Sequence, residues 1–164
     1  MLVYHGTYME IQEPDPLYGR YNLDFGKGFY VTTLQEQAEK WAFRRAKAEN
    51  GSPIVNKYEF DNSDLNVLRF DGYTEEWLDF IVECRTGTVK PHQYDAVFGN
   101  IANDDVAATV DEYIRLLRKN RVNADVKRAT LYQLTFSKPN DQYCITTQKG
   151  IKALKFIESY RLEV

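Results

Sequence analysis

Residues 24–33 read Asp24-Phe-Gly-Lys-Gly-Phe-Tyr-Val-Thr-Thr33, and residues 4–7 near the start read Tyr4-His-Gly-Thr7. Two glycines separated by one residue allow a backbone to approach a flat ligand or another strand closely. Tyr30 follows on a predicted short strand. An aromatic ring beside such a backbone can form a slot for a planar heterocycle. The alternative interpretation is a tight turn before a strand, with the ring of Tyr30 packed in the core.

Length and composition indicate one domain, spanning residues 1–164, that is large enough to bury a core without metal or disulfide support. The net charge of −3 gives no general basic surface for a nucleic-acid backbone. Two local basic stretches, residues 44–47 and 119–128, are typical of solvated helix faces. Nucleic-acid binding as the main role is therefore not favoured.

The two cysteines, Cys84 and Cys144, lack the spacing of metal ligands, so no metal site is predicted. The first residues do not have the pattern of a secretory signal, and no apolar run reaches membrane-spanning length. We therefore expect a cytoplasmic protein in a reducing compartment, with no membrane partner.

Periodicity and turn residues predict an irregular mixture of strands and helices. The strands are expected at residues 1–5, 28–32, 54–60, 65–70, 94–99, 142–146 and 160–164, and a loop at residues 10–24. The helices are expected at residues 33–50, 75–84, 105–118, 125–135 and 148–157. Thr33 with Glu36 fits a capping box for the first helix, and Thr74 is the expected cap of the second. This order favours an α+β fold, and the absence of a third glycine after Gly26 and Gly28 argues against a dinucleotide fingerprint.

Three separated motifs carry a family resemblance. They are His5-Gly6-Thr7, Phe25-Gly-Lys-Gly-Phe-Tyr-Val31 and Asn140-Asp-Gln-Tyr-Cys-Ile145. In this order they resemble the motifs of the diphtheria-toxin and poly(ADP-ribose)-polymerase class of ADP-ribosyltransferases. The resemblance spans nearly the whole chain and implies a split antiparallel β-sheet flanked by helices. More closely, the chain resembles small stand-alone bacterial proteins of that clan, a domain group of unknown function associated with toxin–antitoxin pairs.

The resemblance implies NAD as the substrate and assigns roles to seven residues. His5 would bond the adenosine ribose, and the backbone of Gly6 would hold the nicotinamide carboxamide. Tyr30 and Trp41 would pack on the nicotinamide ring, and Gln142 stands where the family carries its catalytic glutamate. The implied catalytic residues are His5, Tyr30 and Gln142. The implied NAD contacts are His5, Gly6, Thr7, Gly28, Tyr30, Trp41 and Gln142. The chain has Ala38 where many members carry a serine.

Glutamine at position 142 bears on the expected rate. Cleavage of the bond between nicotinamide and ribose passes through a state with positive charge on the sugar. A carboxylate about 4 Å away could contribute about 4 kcal/mol at an effective dielectric constant of about 20, or roughly a thousandfold in rate. Gln142 gives up most of that stabilisation, so slow cleavage or transfer of a single unit is expected. A Gln142→Glu change is expected to raise NAD cleavage.

Other acids are weaker candidates for that carboxylate. Asp141 should point to the opposite face of the strand from Gln142. Glu59 fits a solvent-facing strand position, and Asp104 and Asp105 fit the N-terminal end of a helix.

The predicted function is that of a bacterial mono-ADP-ribosyltransferase that uses NAD without a metal. Its acceptor would be a protein or a nucleic acid, and an antitoxin is a possible partner. Two alternatives stay open. One is a module that binds NAD or ADP-ribose without catalysis. The other is an interaction protein whose cleft is filled by its own loop or by a partner, with His5 and Trp41 in structural roles.

Overall fold

The computed structural model describes residues 1–102, 104–135 and 138–163, without the side chains of residues 104 and 105. The strands are β1 (Leu2–Thr7), β2 (Phe29–Val31), β3 (Ile54–Phe60), β4 (Val67–Arg69), β5 (Ala96–Gly99), β6 (Gln142–Ile145) and β7 (Leu154–Arg161). The helices are α1 (Gln35–Glu49), α2 (Glu75–Thr86), α3 (Asp104–Arg118), α4 (Ala124–Leu134) and α5 (Gln148–Lys152). A 3₁₀ turn, Pro16–Tyr18, lies within the predicted loop at residues 10–24.

The strands form two sheets, in the orders β1-β3-β7 and β2-β6-β5-β4. All neighbouring pairs are antiparallel except β4 and β5, which are parallel. The backbones of Tyr4 and Thr32 exchange two hydrogen bonds of 2.8 and 3.0 Å, which join β1 to the end of β2. The predicted α+β fold with a split sheet is therefore confirmed, with one parallel pair that the prediction did not include.

Three groups of buried side chains hold the layers together. The helices α2, α3 and α4 cover one face of the four-stranded sheet through residues that include Trp77, Leu78, Ile81, Val110 and Leu134. A second cluster, which includes Val3, Phe29, Tyr58, Phe60 and Tyr143, draws on strands of both sheets. The third places α1 against β1 and β3 through Ala38, Ala42 and Val55. Helix α1 therefore packs on the three-stranded sheet, next to the gap where β1 and β2 separate.

Helix α1 lies close to β1 because the alanines of its buried face meet Gly6 of the strand. Ala38, Ala42 and Ala46 are the buried residues of the helix. A Cβ atom added at Gly6 would lie 1.8 Å from the carbonyl oxygen of Ala38 and 2.7 Å from the backbone nitrogen of Ala42. Glycine at position 6 is therefore required by the packing of this helix on the strand.

The predicted caps have different outcomes. Thr74 caps α2 as predicted, because its hydroxyl accepts from the backbone nitrogen of Trp77 at 3.2 Å. The capping box at Thr33 and Glu36 is wrong. Helix α1 begins after Leu34, which makes no side-chain capping bond, and the hydroxyl of Thr33 donates instead to Asp141. A tertiary partner has replaced the local one.

The predicted C-terminal helix is wrong beyond residue 152. Helix α5 ends at Lys152, and residues 154–161 form β7, which pairs with β3 along its length. Leu154 and Phe156 pack against the cluster shared by the sheets, so pairing and burial outweigh local helical periodicity. The strand predicted at residues 160–164 is therefore the end of β7, and residue 164 lies outside the described residues. The remaining elements match the prediction with shifts at their ends.

The turn between β2 and α1 depends on Asp141. Its Oδ1 accepts from the hydroxyl of Thr32 and the backbone nitrogen of Thr33, each at 2.8 Å, and its Oδ2 accepts from the Thr33 hydroxyl. An Asp141→Asn change replaces one acceptor oxygen with a donor. It is expected to lower the free energy of unfolding by about 1–3 kcal/mol. Urea denaturation measures this loss, and the exposed Asp64→Asn serves as the control. Equal stability of the two variants would contradict the assigned role of Asp141.

Within the parts of the chain that the structure describes, no helix is long and apolar enough to cross a membrane.

Candidate functional site

A cavity of about 620 Å³ opens where β1 and β2 separate. Its walls come from β1, β2, the first turns of α1, the loop before β2 and residues 101 and 102 after β5. Cavities of this volume accept small-molecule ligands. All seven residues singled out from the sequence line it, namely His5, Gly6, Thr7, Gly28, Tyr30, Trp41 and Gln142. The structure therefore brings the three sequence motifs to one place, and we call this cavity the cleft.

The split of the sheet leaves backbone groups of β1 directed toward the cleft. The N–H and C=O of Tyr4 bond to Thr32 on the β2 side. Backbone groups two residues apart on a strand point to the same edge, so those of Gly6 also point away from β3. At Gly6 the strands have already diverged, because the bridge lies at Tyr4. One donor and one acceptor thus stand side by side in the wall of the cleft.

His5 spans the split between the two strands. Its Nδ1 lies 2.7 Å from the carbonyl oxygen of Tyr30, and its ring stacks on Phe29 with the ring centres 4.5 Å apart. A carbonyl only accepts, so Nδ1 carries the proton and Nε2 of the neutral ring is an acceptor. Burial lowers the pKa of His5 most, the bond to Tyr30 opposes this, and the nearby Arg45 lowers the pKa further. The ring is therefore neutral at pH 7.

The lowered pKa of His5 predicts how stability depends on pH. The unfolded chain binds a proton at this histidine near its ordinary pKa of 6.5, whereas the folded chain binds it only at lower pH. The free energy of unfolding should therefore be highest above pH 6.5 and fall as the pH drops from 6.5 toward the folded pKa. Melting temperatures between pH 5 and 7.5 measure this slope. His5→Gln should reduce this slope to the part that comes from His92, whose pKa burial also lowers, and a slope unchanged in that variant would contradict the assignment.

The hydroxyl of Tyr30 forms hydrogen bonds within its own loop. Its hydroxyl donates to the carbonyl oxygen of Gly26 at 2.6 Å and accepts from the backbone nitrogen of Phe25 at 3.0 Å. Burial raises the pKa of this phenol well above its ordinary value, so it stays protonated. The ring also packs against the helical core. The predicted catalytic role of Tyr30 can therefore come only from its ring and backbone in the cleft wall.

Gly28 brings the loop down onto β6. A Cβ atom there would lie 2.6 Å from both the sulfur of Cys144 and the carbonyl oxygen of Ile145. Cys144 and Cys84 are free and buried, and burial raises the pKa of each to about 12. Thiols in this state are poor nucleophiles, so these cysteines serve packing beneath the loop.

Trp41 provides an exposed aromatic face at the mouth of the cleft. Its side chain projects from α1 and is 40% exposed, with the Arg44 guanidinium 5.5 Å from the ring centre. One turn earlier, Ala38 is buried against Gly6. Ala38 thus lies at the tight contact between helix and strand.

The side chain of Gln142 is held by a carboxylate for which the sequence predicts no role. Gln142 is 8% exposed at the start of β6, and its Nε2 donates to Oδ2 of Asp24 at 3.3 Å. Asp24 lines the cleft and forms an ion pair with Arg85 at 2.7 Å. Asp24 and Gln142 are 118 residues apart in the chain, and no local pattern connects them.

Of the other acids that the sequence suggested, Asp141 and Glu59 do not lie beside Gln142. Asp141 faces Thr32 and Thr33, as its position on the opposite face predicted. Glu59 is exposed on β3 and is not part of the cleft lining. The side chains of Asp104 and Asp105 lie outside the described residues. Over the described ranges, no group of three or more His, Cys, Asp or Glu residues could hold a metal ion.

Fold and cleft together define an α+β protein with a ligand-sized cavity at a split sheet. The chain belongs to the DUF3990 family, described as a protein of unknown function, whose family model matches residues 1–156. No curated protein matches the chain, and no solved structure matches it.

Proposed function

We propose that the protein is an NAD-dependent mono-ADP-ribosyltransferase that modifies a protein or nucleic acid. The observation that carries the proposal is the convergence of His5, the Gly6 backbone, Trp41 and Gln142 on one cleft. These groups come from β1, α1 and β6, which are far apart in the chain.

The nicotinamide end of NAD matches the groups around Gly6. A carboxamide has one donor and one acceptor edge, and it would pair with the C=O and N–H of Gly6 in the split of the sheet. The ring of Trp41 offers a face on which the pyridinium could stack. A held leaving group in fixed orientation lowers the barrier to its departure.

The adenosine and pyrophosphate ends match polar groups further along the cleft. The Nε2 atom of the neutral His5 would accept from a ribose hydroxyl. Arg20 and Arg45 also line the cleft, and guanidinium groups suit pyrophosphate oxygens. Arg45 is itself placed by an ion pair with Glu49 at 3.2 Å and by the ring of Tyr8.

The proposed reaction needs no acid for the leaving group. The bond between nicotinamide nitrogen and ribose C1′ breaks, and its electron pair neutralises the pyridinium. Positive charge then develops on the ribose, and an acceptor nucleophile forms the new bond to C1′ and loses its proton. The amide of Gln142 would stabilise the sugar with its carbonyl dipole and bond its hydroxyl groups. A dipole gives less than a full charge, so slow single-unit transfer is expected.

We also propose that the activity is that of a bacterial toxin restrained by an antitoxin protein. A cleft open to solvent at Trp41 offers a partner access to the groups that bind NAD. Induction of the gene should then arrest cell growth, and Gln142→Ala should relieve the arrest. Normal growth with the wild-type protein expressed at high level would contradict the toxin role.

The second candidate is a module that binds NAD or ADP-ribose without cleaving it. It is favoured by the glutamine at position 142 and by the pairing of Asp24 with Arg85, which offsets the charge of that carboxylate. NAD would raise the melting temperature of such a module, by an amount that grows with the NAD concentration relative to Kd. The module would release no nicotinamide.

One assay separates the two candidates. Purified protein is incubated with NAD carrying a label on its adenylate, with and without bacterial lysate, and released nicotinamide and labelled macromolecules are quantified. The transferase should release nicotinamide and transfer label. Thermal stabilisation by NAD without either product would support the binding module. If NAD neither stabilises the protein nor is cleaved, both candidates are contradicted.

The contribution of Trp41 to NAD binding can be isolated with a matched control. Trp41 and Phe43 project from the same helix and are 40% and 43% exposed, but only Trp41 lines the cleft. Trp41→Ala is expected to weaken NAD binding about fivefold to tenfold, because stacking on an aromatic face is worth roughly 1 kcal/mol. Calorimetric titration measures the affinity. Phe43→Ala should bind as the wild type does, and equal affinity in both variants would contradict the stacking role.

A further inference from the structure

We propose that Asp24 is a positioning residue that fixes the direction of the Gln142 amide at the reacting ribose. The inference rests on the proposed function and deepens it. It assigns a role to the loop before β2 that the sequence motifs do not suggest.

The contact between the two side chains determines which amide atom of Gln142 faces Asp24 and which faces the cleft. A carboxylate accepts hydrogen bonds, so the atom of Gln142 that lies 3.3 Å from Oδ2 of Asp24 must be the donor Nε2. The carbonyl oxygen Oε1 is then the end of the amide left to face a ligand in the cleft. If the amide were reversed, two acceptors would meet at Asp24 and a donor would face the positive ribose.

Asp24 has no acceptor capacity left for a ligand. Its Oδ1 accepts from Nη2 and Nε of Arg85 at 2.7 and 3.1 Å. Its Oδ2 accepts from the backbone nitrogen of Ala102 at 2.8 Å as well as from Gln142. Four donors fill about four lone-pair sites on the carboxylate. The role of Asp24 is therefore to orient Gln142 and not to contact the substrate.

The carboxylate is itself fixed from several elements. The side chains of Asp24 and Arg85 are both 16% exposed, and Arg85 lies near the end of α2. Arg85 also donates to the carbonyl oxygen of Ala102 at 3.4 Å. Its ion pair with Asp111 of α3, at 3.0 Å, contributes little because the Asp111 side chain is exposed. Helix α2 thus holds the loop through Arg85, and the loop holds the amide.

This arrangement reverses the sequence-based expectation for Gln142→Glu. A glutamate at this position would place a second carboxylate against Asp24. Like charges at contact distance raise the pKa of one of them, so the new acid would tend to stay protonated or turn away. The single change is therefore expected to lower NAD cleavage at pH 7, not to raise it.

A double substitution exchanges the two functional groups. In Asp24→Asn with Gln142→Glu, the asparagine oxygen takes the place of Oδ1 and accepts from Arg85, while its nitrogen takes the place of Oδ2 and donates to the new carboxylate. The contact between positions 24 and 142 again joins a donor to an acceptor, the bond from the backbone nitrogen of Ala102 is lost, and the total charge is that of the wild type. Asp24→Asn alone leaves an amide that can donate to Oε1 of Gln142 and so turn the glutamine around.

The test is the kcat and KM for nicotinamide release by the wild type, the two single variants and the double variant. Each single variant should lose roughly tenfold to a hundredfold in kcat with little change in KM, whereas the double variant should recover at least tenfold over the weaker single variant. The control is Asp111→Asn, which removes the other carboxylate that pairs with Arg85. Because the Asp111 side chain is 69% exposed, this variant should keep the wild-type kcat. Wild-type kcat in Asp24→Asn, or losses that multiply in the double variant, would overturn the inference.

A spectroscopic measurement tests the contact apart from turnover. The side-chain amide resonances of Gln142 in ¹⁵N-labelled protein are assigned by their disappearance in Gln142→Glu. They should shift in Asp24→Asn and stay in place in Asp111→Asn, and no shift in Asp24→Asn would overturn the contact. A wild type without activity would contradict the proposed function and with it the role of Asp24. An active wild type together with an Asp24→Asn variant of the same kcat would contradict only the role of Asp24.

Discussion

A Gly6→Ala variant is expected to lose about 3 kcal/mol or more of its free energy of unfolding, because overpacking against rigid atoms is costly. The added Cβ would meet the carbonyl oxygen of Ala38 at 1.8 Å and the backbone nitrogen of Ala42 at 2.7 Å. Both are helix backbone atoms, so no side-chain rotation relieves the clash. Helix α1 must move away from β1. Urea denaturation of wild type and variant measures the loss.

Gly72→Ala is the matched control for this prediction. Gly72 has a φ of +89°, but a Cβ atom there would have nothing within 4 Å. Its replacement should therefore cost only the backbone strain, about 1–2 kcal/mol. Gly6→Ala should be clearly less stable than Gly72→Ala. A Gly6→Ala protein within about 1 kcal/mol of the wild type would show that α1 does not lie against β1 as described.

The second large effect is expected at His5, where His5→Ala should lower kcat/KM for nicotinamide release about a hundredfold. The change removes the 2.7 Å bond from Nδ1 to the carbonyl oxygen of Tyr30, which holds the split strands. It also removes the Nε2 acceptor proposed for the ribose. Two such bonds at about 1–1.5 kcal/mol each give roughly two factors of ten.

The other histidine of the chain provides the control. The ring of His92 packs at a tilt against Phe80 and Tyr94, and His92 is not part of the cleft lining. His92→Ala should therefore keep kcat/KM within about twofold of the wild type. An equal loss in the two variants, or a His5→Ala enzyme as active as the wild type, would contradict the role assigned to His5.

Local patterns in the sequence predicted the elements that have their own periodicity and capping. Helix α2 is an example, because its buried face and its cap at Thr74 are both encoded within about ten residues. The close backbone approach at Gly28 was also predicted from the pair of glycines, whereas the roles of Gly6 and Gln142 came only from the family resemblance. Their meeting in one cleft followed from the resemblance and not from the residues themselves.

Contacts between distant residues explain what the sequence could not predict. The hydroxyl of Thr33 donates to Asp141, which is 108 residues away, and does not cap the helix. Gln142 takes Asp24 as its partner across 118 residues. Residues 154–161 become a strand because β3 offers an edge to pair with. In each case a tertiary partner decides the outcome, and local propensity alone points elsewhere.

We propose that the cleft at the split sheet binds NAD with its nicotinamide at Gly6. A crystal structure with a non-hydrolysable NAD analogue tests it most directly. We expect a carboxamide paired with the N–H and C=O of Gly6, the pyridine ring against Trp41, and a ribose hydroxyl within hydrogen-bonding distance of Oε1 of Gln142. An analogue bound outside the cleft, or one whose nicotinamide points away from Gly6, would contradict it.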